Sequence, residues 1–392
     1  MKDVKLLLFC PVLLLLCSCN QQIQKKFPNH KDYHVLHVSL DETKTSLFDI
    51  FEKVELIPLE TCNEALIKVI RKILYYNNVY YVFDEKLGSL FLFDQNGKFI
   101  NKIHRIGQGP GEYQLIYDFF VDTLQSQIGM LSPYGSVLYY SIQGDFIKKI
   151  NLPPPPPSYL YVELLRDNIC LFWTAPAFPP LVDNDALNFI SMDTGEKTGG
   201  LRYEEHHALW MWNGHVLHRD NKENVFLTRG FSNDVFIITP NGIQIAYTWD
   251  FGNRNNNMDK IKLSNSVEEL NETAKRFRES FNNGESFFLS YCFSRQNQTD
   301  LYYYAYLRFA ENKRKHLFYH KQTNQYHFFE HTAEGHSINN PLLMTNEFML
   351  AELDFGKKES IAPYLLSDKD REILSNFQEE DNPCLLKFTF KR

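Results

Sequence analysis

Short apolar runs separated by turn residues dominate the chain. The stretch "VIRKILYYNNVYYVFDEKLGSLFLFDQNGKFINKI", residues 69–103, contains four such runs, separated by Asn-Asn, Asp-Glu-Lys-Leu-Gly and Asp-Gln-Asn-Gly. Each separator is a turn signal, so the stretch predicts a four-stranded antiparallel meander. Aromatic residues make up 15% of the chain, which also favours strands over helices.

The last hairpin of this meander recurs along the chain. Its turn glycine, Gly97, has counterparts at Gly144, Gly195 and Gly242, which lie roughly 50 residues apart, a spacing typical of propeller blades. A fifth copy spans residues 301–329, and a sixth combines "PLLMTNEFMLAEL" with the terminal "NPCLLKFTFKR". The pattern therefore predicts an all-β protein, a six-bladed β-propeller.

The termini supply the closure of this ring. The strand at 51–60 has no partner in the first repeat, and the sixth repeat lacks its fourth strand. Propellers close by completing one blade from both termini, which removes open sheet edges. We therefore expect residues 51–60 to pair with 384–391 and to bring Cys62 near Cys384, either as free thiols, which we favour, or as a disulfide. Helical spacing predicts short inserted helices at 258–280 and 367–378.

The N-terminus predicts export. Lys2 and Lys5 precede an apolar run that is too short to span a membrane, and a small residue comes directly before Cys19. This arrangement is similar to a bacterial lipobox, in which the cysteine becomes lipidated; the alternative is a cleaved signal with free export. We predict a signal peptide at 1–18, a lipidated tether at 19–46 and the propeller at 47–392. The polar residues after Cys19 are not acidic, which favours the periplasmic side of the outer membrane over the surface.

Charge and cysteine content exclude several functions. The formal charge is −7, and Lys and Arg are scattered, so nucleic acid is not an expected partner. No C-x-x-C pair occurs after Cys19, which argues against zinc-ribbon and redox sites. We expect no cofactor and no metal.

Several stretches resemble a known family. "VELIPLE", "GSLFLFDQNGKFINKIHRIGQGPGEY", "SNDVFIITPNG" followed by "WDFGN", and "NPCLLKF" are similar to six-bladed β-propeller lipoproteins of Bacteroidetes, which are related to NHL and TolB-like propellers. The resemblance runs from about Leu47 to the C-terminus. It implies a propeller fold and an envelope location, and it implies no reaction.

Irregular loops provide the candidate binding residues. In a propeller, the turns between second and third strands share one face with the links between blades, and here these loops are longer and less regular than the opposite turns. Variable loops on a rigid scaffold commonly carry recognition. The predicted ligand contacts are Arg105, Gln108, Glu112, Tyr113, Tyr134, Trp210, Trp212, Arg229 and Phe231.

Each candidate also has a structural interpretation. For the motif "GQGPGEY", residues 107–113, we favour a shaped link in which Glu112 and Tyr113 hold the backbone in place. Trp210 and Trp212 suit either stacking on a sugar or packing within their loop. The histidines between 206 and 218 lack zinc-site spacing, so solvated loop histidines are the favoured interpretation.

Three functions follow from these observations. The favoured one is a non-catalytic envelope lipoprotein that binds a glycan, peptide or protein on one propeller face. The alternatives are a metal-dependent propeller hydrolase or lyase, and an assembly factor similar to TolB. Metal-dependent propellers need acidic and histidine residues that converge from several inner strands, and here the first strands offer Asp118 and Glu163 without a repeated ligand.

Overall fold

The computed structural model describes residues 24–25, 33–154, 158–166, 168–174, 185–202, 216–239, 242–257, 267–283 and 290–392. These residues form six sheets, each built on four antiparallel strands, which are the blades of a propeller. First strands of neighbouring blades contact one another, so the first strand of each blade lies innermost. The predicted six-bladed fold is confirmed.

Blades 1 to 3 are numbered in chain order, and their strands are given from the innermost outward. Blade 1 contains Ile70–Tyr76, Val79–Asp84, Ser89–Asp94 and Phe99–Ile103. Blade 2 contains Asp118–Asp122, Gln127–Ser132, Ser136–Ser141 and Phe146–Asn151. Blade 3 contains Tyr159–Leu165, Ile169–Thr174, Asp185–Ser191 and Lys197–Arg202.

Blades 4 to 6 follow the same order. Blade 4 contains Leu217–Arg219, Val225–Leu227, Asp234–Thr239 and Gly242–Asp250. Blade 5 contains Cys292–Gln298, Tyr302–Arg308, Arg314–His320 and Tyr326–Phe329. Blade 6 contains Pro341–Met344, Phe348–Leu353, Cys384–Phe390 and Phe51–Pro58.

The ring closes within blade 6, as predicted. Phe51–Pro58 is its outermost strand and pairs antiparallel with Cys384–Phe390, with Val54 opposite Phe388. Cys384 lies opposite Pro58, four residues before Cys62, and both cysteines are free thiols. Asn382 ties the two chain ends together, because its amide donates to the carbonyls of Glu60 and Ala65 and accepts from the Ile67 amide.

Close contact between blades explains why glycine recurs in the outer turns. Gly97 has φ +83°, and a Cβ there would lie 2.0 Å from the Pro58 carbonyl oxygen at the end of the neighbouring outer strand. Gly195 has φ +75°, and a Cβ there would lie 2.4 Å from the Asn151 carbonyl oxygen. Positive φ and the approach of a neighbouring backbone both require glycine. At Gly97 and Gly195 the repeated glycine therefore marks a site where one blade rests on the next, whereas at Gly242 a Cβ would meet no described heavy atom within 4 Å.

Apolar side chains fill the seams between blades. Each of the six seams contains one cluster of buried residues drawn from both neighbouring blades. Between blades 5 and 6, for example, Phe318 packs edge-to-face on Phe51, with ring centroids 5.7 Å apart. This packing accounts for the high aromatic content, since large flat rings suit the broad surface of a twisted sheet.

Three α-helices interrupt the strands in the described residues. Val267–Asn282 connects blade 4 to blade 5, and Asp368–Asn376 connects the second and third strands of blade 6. Both were predicted, although residues 258–266 lie outside the described part of the chain. A short helix, Leu47–Ile50, precedes the closing strand and has Ser46 as its N-cap.

Two N-terminal strands were not predicted. Gln24–Lys25 pairs parallel with the outer strand of blade 3, and His34–His37 pairs parallel with the outer strand of blade 4. Leu36, which follows Val35, is fully buried in the seam between blades 4 and 5. Both strands lie in the segment predicted as a tether, so the folded domain begins before Leu47.

Candidate functional site

The six innermost strands surround an axial cavity of about 390 Å³. Every blade contributes to its wall. The turns between first and second strands form one face of the ring, here called the first-turn face, and the cavity extends to the start of these turns at Thr123, Asp220 and Thr345. The wall residues include Lys72, Leu74, Tyr76, Val121, Glu163, Leu217, His218, Arg219, Arg295, Gln296, Leu343 and Met344.

Polar contacts cross the channel at the end where the inner strands begin. Lys72 of blade 1 forms an ion pair with Asp118 of blade 2 at 2.9 Å, and both side chains are largely buried. The second oxygen of Asp118 accepts from the Val162 amide of blade 3 at 2.9 Å. Arg71 reaches further and donates to the Tyr161 hydroxyl at 3.0 Å. These contacts join three blades at this end of the channel.

Asp118 is therefore engaged in structural contacts. Burial raises the pKa of its carboxyl group, and the Lys72 charge and the Val162 amide oppose that shift. A buried carboxylate is stable in this setting because each oxygen has a donor. Its role is to hold neighbouring inner strands together.

Glu163 is paired as well. Its Oε1 lies 2.9 Å from Nη2 of Arg219 on blade 4, and Arg219 also pairs with Glu223 in the first turn of that blade. Asp220 accepts hydrogen bonds from the amides of Lys222 and Asn224, so it shapes the same turn. The acidic side chains on the cavity wall are thus already committed to neighbouring groups.

Arg295 differs from the other cations on the wall. Its Nη1 donates to the Leu342 carbonyl of blade 6, and within the described residues no carboxylate oxygen lies within the 4.0 Å of an ion pair. Burial lowers the pKa of Arg295 to about 10, a shift opposed by Tyr304 and reinforced by the charge of Arg71. The guanidinium is charged at neutral pH, so a cation faces the cavity without an anionic partner among those residues.

Two further polar groups next to the cavity have unsatisfied nitrogens. His218 stacks on Phe226, and both of its ring nitrogens lack a partner among the residues described. Burial, with a smaller effect from Arg295, lowers the pKa of His218 to about 3, so the ring is neutral. This histidine lies on an inner strand, which corrects its interpretation as a solvated loop residue. Gln296 accepts from the indole of Trp249 at 2.8 Å, and its Nε2 is buried and equally lacks an acceptor in the described chain.

The "GQGPGEY" segment forms a compact link between blades 1 and 2. Glu112 folds back so that its Oε2 accepts from the Gly109 amide at 2.8 Å. The buried Tyr113 hydroxyl donates to the Gly88 carbonyl at 2.7 Å. Gly111 has φ +73°, and a Cβ there would meet the ring of Phe146. These contacts confirm the structural interpretation of the motif.

The other predicted contact residues divide by exposure. Arg105 and Gln108 are exposed, and Tyr134 is 69% exposed in the turn between the second and third strands of blade 2. Arg229 is half-buried and bonds Ser232, while Phe231 is buried and packs edge-to-face on Phe281 of the inserted helix. Trp210, Trp212 and Cys19 lie outside the described residues. None of the predicted residues that the structure describes lines the axial cavity.

Two features are absent from the described residues, a metal-binding cluster and a membrane-spanning helix. No group of three or more His, Cys, Asp and Glu side chains lies close enough together to hold a metal ion. No helix in the same residues has both the length and the apolar character needed to cross a membrane.

Comparison with known proteins identifies the family. Residues 14–389 match the family described as "Domain of unknown function (DUF4934)". The chain belongs to this family. No curated protein matches the sequence.

Solved structures share the fold of this DUF4934 protein. A Bacteroides fragilis NCTC 9343 protein that is predicted to be exported is similar, with a TM-score of 0.71, 19% identity, and coverage of 91% of this chain and 100% of the other. A member of the DUF4221 family from Bacteroides vulgatus ATCC 8482 has a TM-score of 0.54 and 13% identity, covering 87% of this chain and 97% of the other. At these identities the likeness shows the fold alone. A relation to NHL or TolB-like propellers stays a prediction.

Proposed function

We propose that this DUF4934 propeller is a non-catalytic, exported binding protein that is anchored to the outer membrane through Cys19 and captures a ligand in its axial cavity. The axial cavity carries this proposal, because all six inner strands contribute to its wall and it reaches the first-turn face. Ligand sites commonly occupy such concave, mixed polar and apolar spaces. The exported relative from Bacteroides fragilis supports the location.

The chemistry of the wall favours binding over catalysis. Asp118 and Glu163, two of the three acidic residues on the first strands, each pair with a cation of a neighbouring blade, and the third, Asp122, accepts from the amides of Leu124 and Gln125. A general acid or base needs a proton-transfer group that can reach the substrate. Here these carboxylates stabilise the ring, and apolar residues such as Leu74 and Leu343 supply surface for a ligand body.

The axial cavity reaches the first-turn face, which is opposite to the face expected from the irregular loops. The predicted contacts that the structure describes lie in loops of the opposite face, where the motif link is held by its own hydrogen bonds. Binding of a glycan, peptide or protein at that face stays a prediction, and Tyr134 is its most exposed described aromatic candidate.

A substitution at the mouth of the cavity tests the proposal. Thr123→Trp places a bulky ring at the start of the blade 2 turn, next to the cavity. Leu124→Trp adds the same ring one residue further along, at a side chain that is 95% exposed and does not line the cavity. Thermal unfolding of both variants and the wild type is measured with and without the low-molecular-mass fraction of an envelope extract.

The expected result is a higher unfolding temperature for the wild type and Leu124→Trp, and no shift for Thr123→Trp. A ligand that binds only the native state stabilises it by mass action, which is why the shift reports binding. Equal shifts in both variants would place the ligand elsewhere, and no shift in the wild type would contradict the capture of a small ligand.

A further inference from the structure

We infer that the ligand of the axial cavity is a small organic carboxylate and that Arg295 binds its carboxylate group. This inference rests on the proposed function, because it assigns chemistry to the same cavity. It adds a ligand class and names the side chain that selects it.

The charge balance of the wall supports a single negative charge on the ligand. Lys72 pairs with Asp118, and Arg219 pairs with both Glu163 and Glu223. Arg295 is the remaining cation of the described wall, and it has only a carbonyl oxygen as a partner there. A buried charge without a counter-ion is costly, and a carboxylate fits the planar guanidinium through two parallel hydrogen bonds.

The same wall disfavours highly charged ligands. Glu163, Asp220 and Glu223 all border the cavity, so a phosphate or a polycarboxylate would meet carboxylates as well as Arg295. Like charges at close range repel, and the low dielectric of an enclosed site strengthens that repulsion. One carboxylate is therefore the best match.

Apolar residues define the rest of the ligand. Leu74, Val121, Leu217 and Leu343 contribute apolar surface around the polar groups. The volume of about 390 Å³ lies at the lower end of the range of roughly 300–1,000 Å³ for small-molecule sites. The cavity thus suits a small acid with an aliphatic or aromatic body.

Gln296 adds a donor next to Arg295. The Trp249 indole can only donate, so the Gln296 oxygen must face it and the amide nitrogen must face the other way. That nitrogen is without an acceptor in the described residues, although Gln296 is only 1% exposed. This nitrogen is therefore a second unsatisfied donor on a residue that lines the cavity.

The test compares acids with their uncharged amides. Hexanoate and phenylacetate are titrated into the purified full chain by calorimetry, alongside hexanamide, phenylacetamide and inorganic phosphate. We expect the two carboxylates to bind and to raise the unfolding temperature, and the amides and phosphate to bind at least tenfold more weakly. Comparable binding of the amides would overturn the carboxylate inference and leave the cavity function intact. Comparable binding of phosphate would also overturn it, because the ligand would then be an inorganic anion.

A pair of variants tests the role of Arg295. Arg295→Gln removes the cation from the cavity, whereas Arg278→Gln removes one from the exposed face of the inserted helix. We expect at least a tenfold loss of carboxylate affinity in Arg295→Gln and none in Arg278→Gln. Binding by Arg295→Gln at the wild-type level would overturn the assignment of Arg295, and failure of Thr123→Trp to block carboxylate binding would contradict the cavity itself.

Folding of the Arg295 variant gives an independent readout. Arg295 is half-buried and has no counter-ion among the described residues, which destabilises the free protein, so its replacement by a neutral amide should raise the unfolding temperature of the ligand-free chain. A large decrease that high salt abolishes would indicate a counter-ion for Arg295 in the free protein and would overturn the inference, because loss of the hydrogen bond to the Leu342 carbonyl alone is not screened by salt in this way.

Discussion

Gly97→Ala should weaken the closure of the ring more than a conformational penalty alone would predict. Gly97 has φ +83°, and a Cβ would lie 2.0 Å from the Pro58 carbonyl oxygen. That carbonyl belongs to the closing strand, and the Glu60 amide donates to the Gly97 carbonyl at 2.8 Å, so the two backbones cannot separate without losing contacts. Gly335 has φ +77°, but a Cβ there would meet no described heavy atom within 4 Å, which makes Gly335→Ala a matched control.

The two variants separate two costs. A left-handed backbone conformation costs an L-residue roughly 1–2 kcal/mol, and this applies to both positions. Forced displacement of packed atoms at Gly97 adds ~1–3 kcal/mol, which gives a total of ~2–5 kcal/mol. Urea unfolding followed by fluorescence gives the free energies, provided that the dependence on denaturant is the same for each variant. Equal destabilisation of the two variants would refute the contact between blades as the reason for glycine.

Three further predictions concern stability and location. His316 is buried and donates to the Ile338 carbonyl, and burial lowers its pKa from 6.5 to about 3. Unfolding therefore binds a proton below pH 6.5, and the free energy of unfolding falls by up to ~1.4 kcal/mol per pH unit on acidification. His316→Gln should flatten that slope between pH 6.5 and 5 in denaturant titrations, and an unchanged slope would contradict a neutral histidine. Asn382→Ala should cost ~3 kcal/mol or more, because it leaves two carbonyls and one amide at the closure without partners, and a loss below ~0.5 kcal/mol would show that water replaces them. Cys19→Ser should move the protein from the membrane fraction to the soluble fraction, and its retention at the membrane would rule out the lipid anchor.

Much of the ring could be predicted because its signals are local. Each blade is a series of hairpins, and the turns around Gly97, Gly144 and Gly195 lie within a few residues of the strands that they join. The pairing of 51–60 with 384–391 is remote in sequence, but it followed from the absence of a partner at both ends. The number of strands in the first and last repeats was therefore enough to predict that the two terminal strands pair.

The strand at His34–His37 was missed for a different reason. Leu36, Val38 and Leu40 alternate with polar residues, which is a strand pattern that the sequence does contain. The surrounding segment is polar and follows a predicted lipid anchor, so composition favours a tether there. Its partner, Gly242–Asp250, lies about 200 residues away, and no local turn connects the two.

The candidate site shows the limit of sequence reasoning most clearly. Asp118 and Glu163 could be identified as inner-strand acids, but their partners Lys72 and Arg219 come from other blades. Arg295 and Gln296 carry no motif, and neither was singled out. Only its place beside the axial cavity distinguishes Arg295 from the other arginines of the chain.

The amino-acid sequence by itself determined the strands, their grouping into six units and the meeting of the two ends, since turn residues and alternating apolar positions act over short distances. The tertiary structure alone decided which charges neutralise one another and which cation is left facing the axis. The physical reason is that electrostatic pairing depends on distances across the ring, and those distances exist only after all six blades have closed around it.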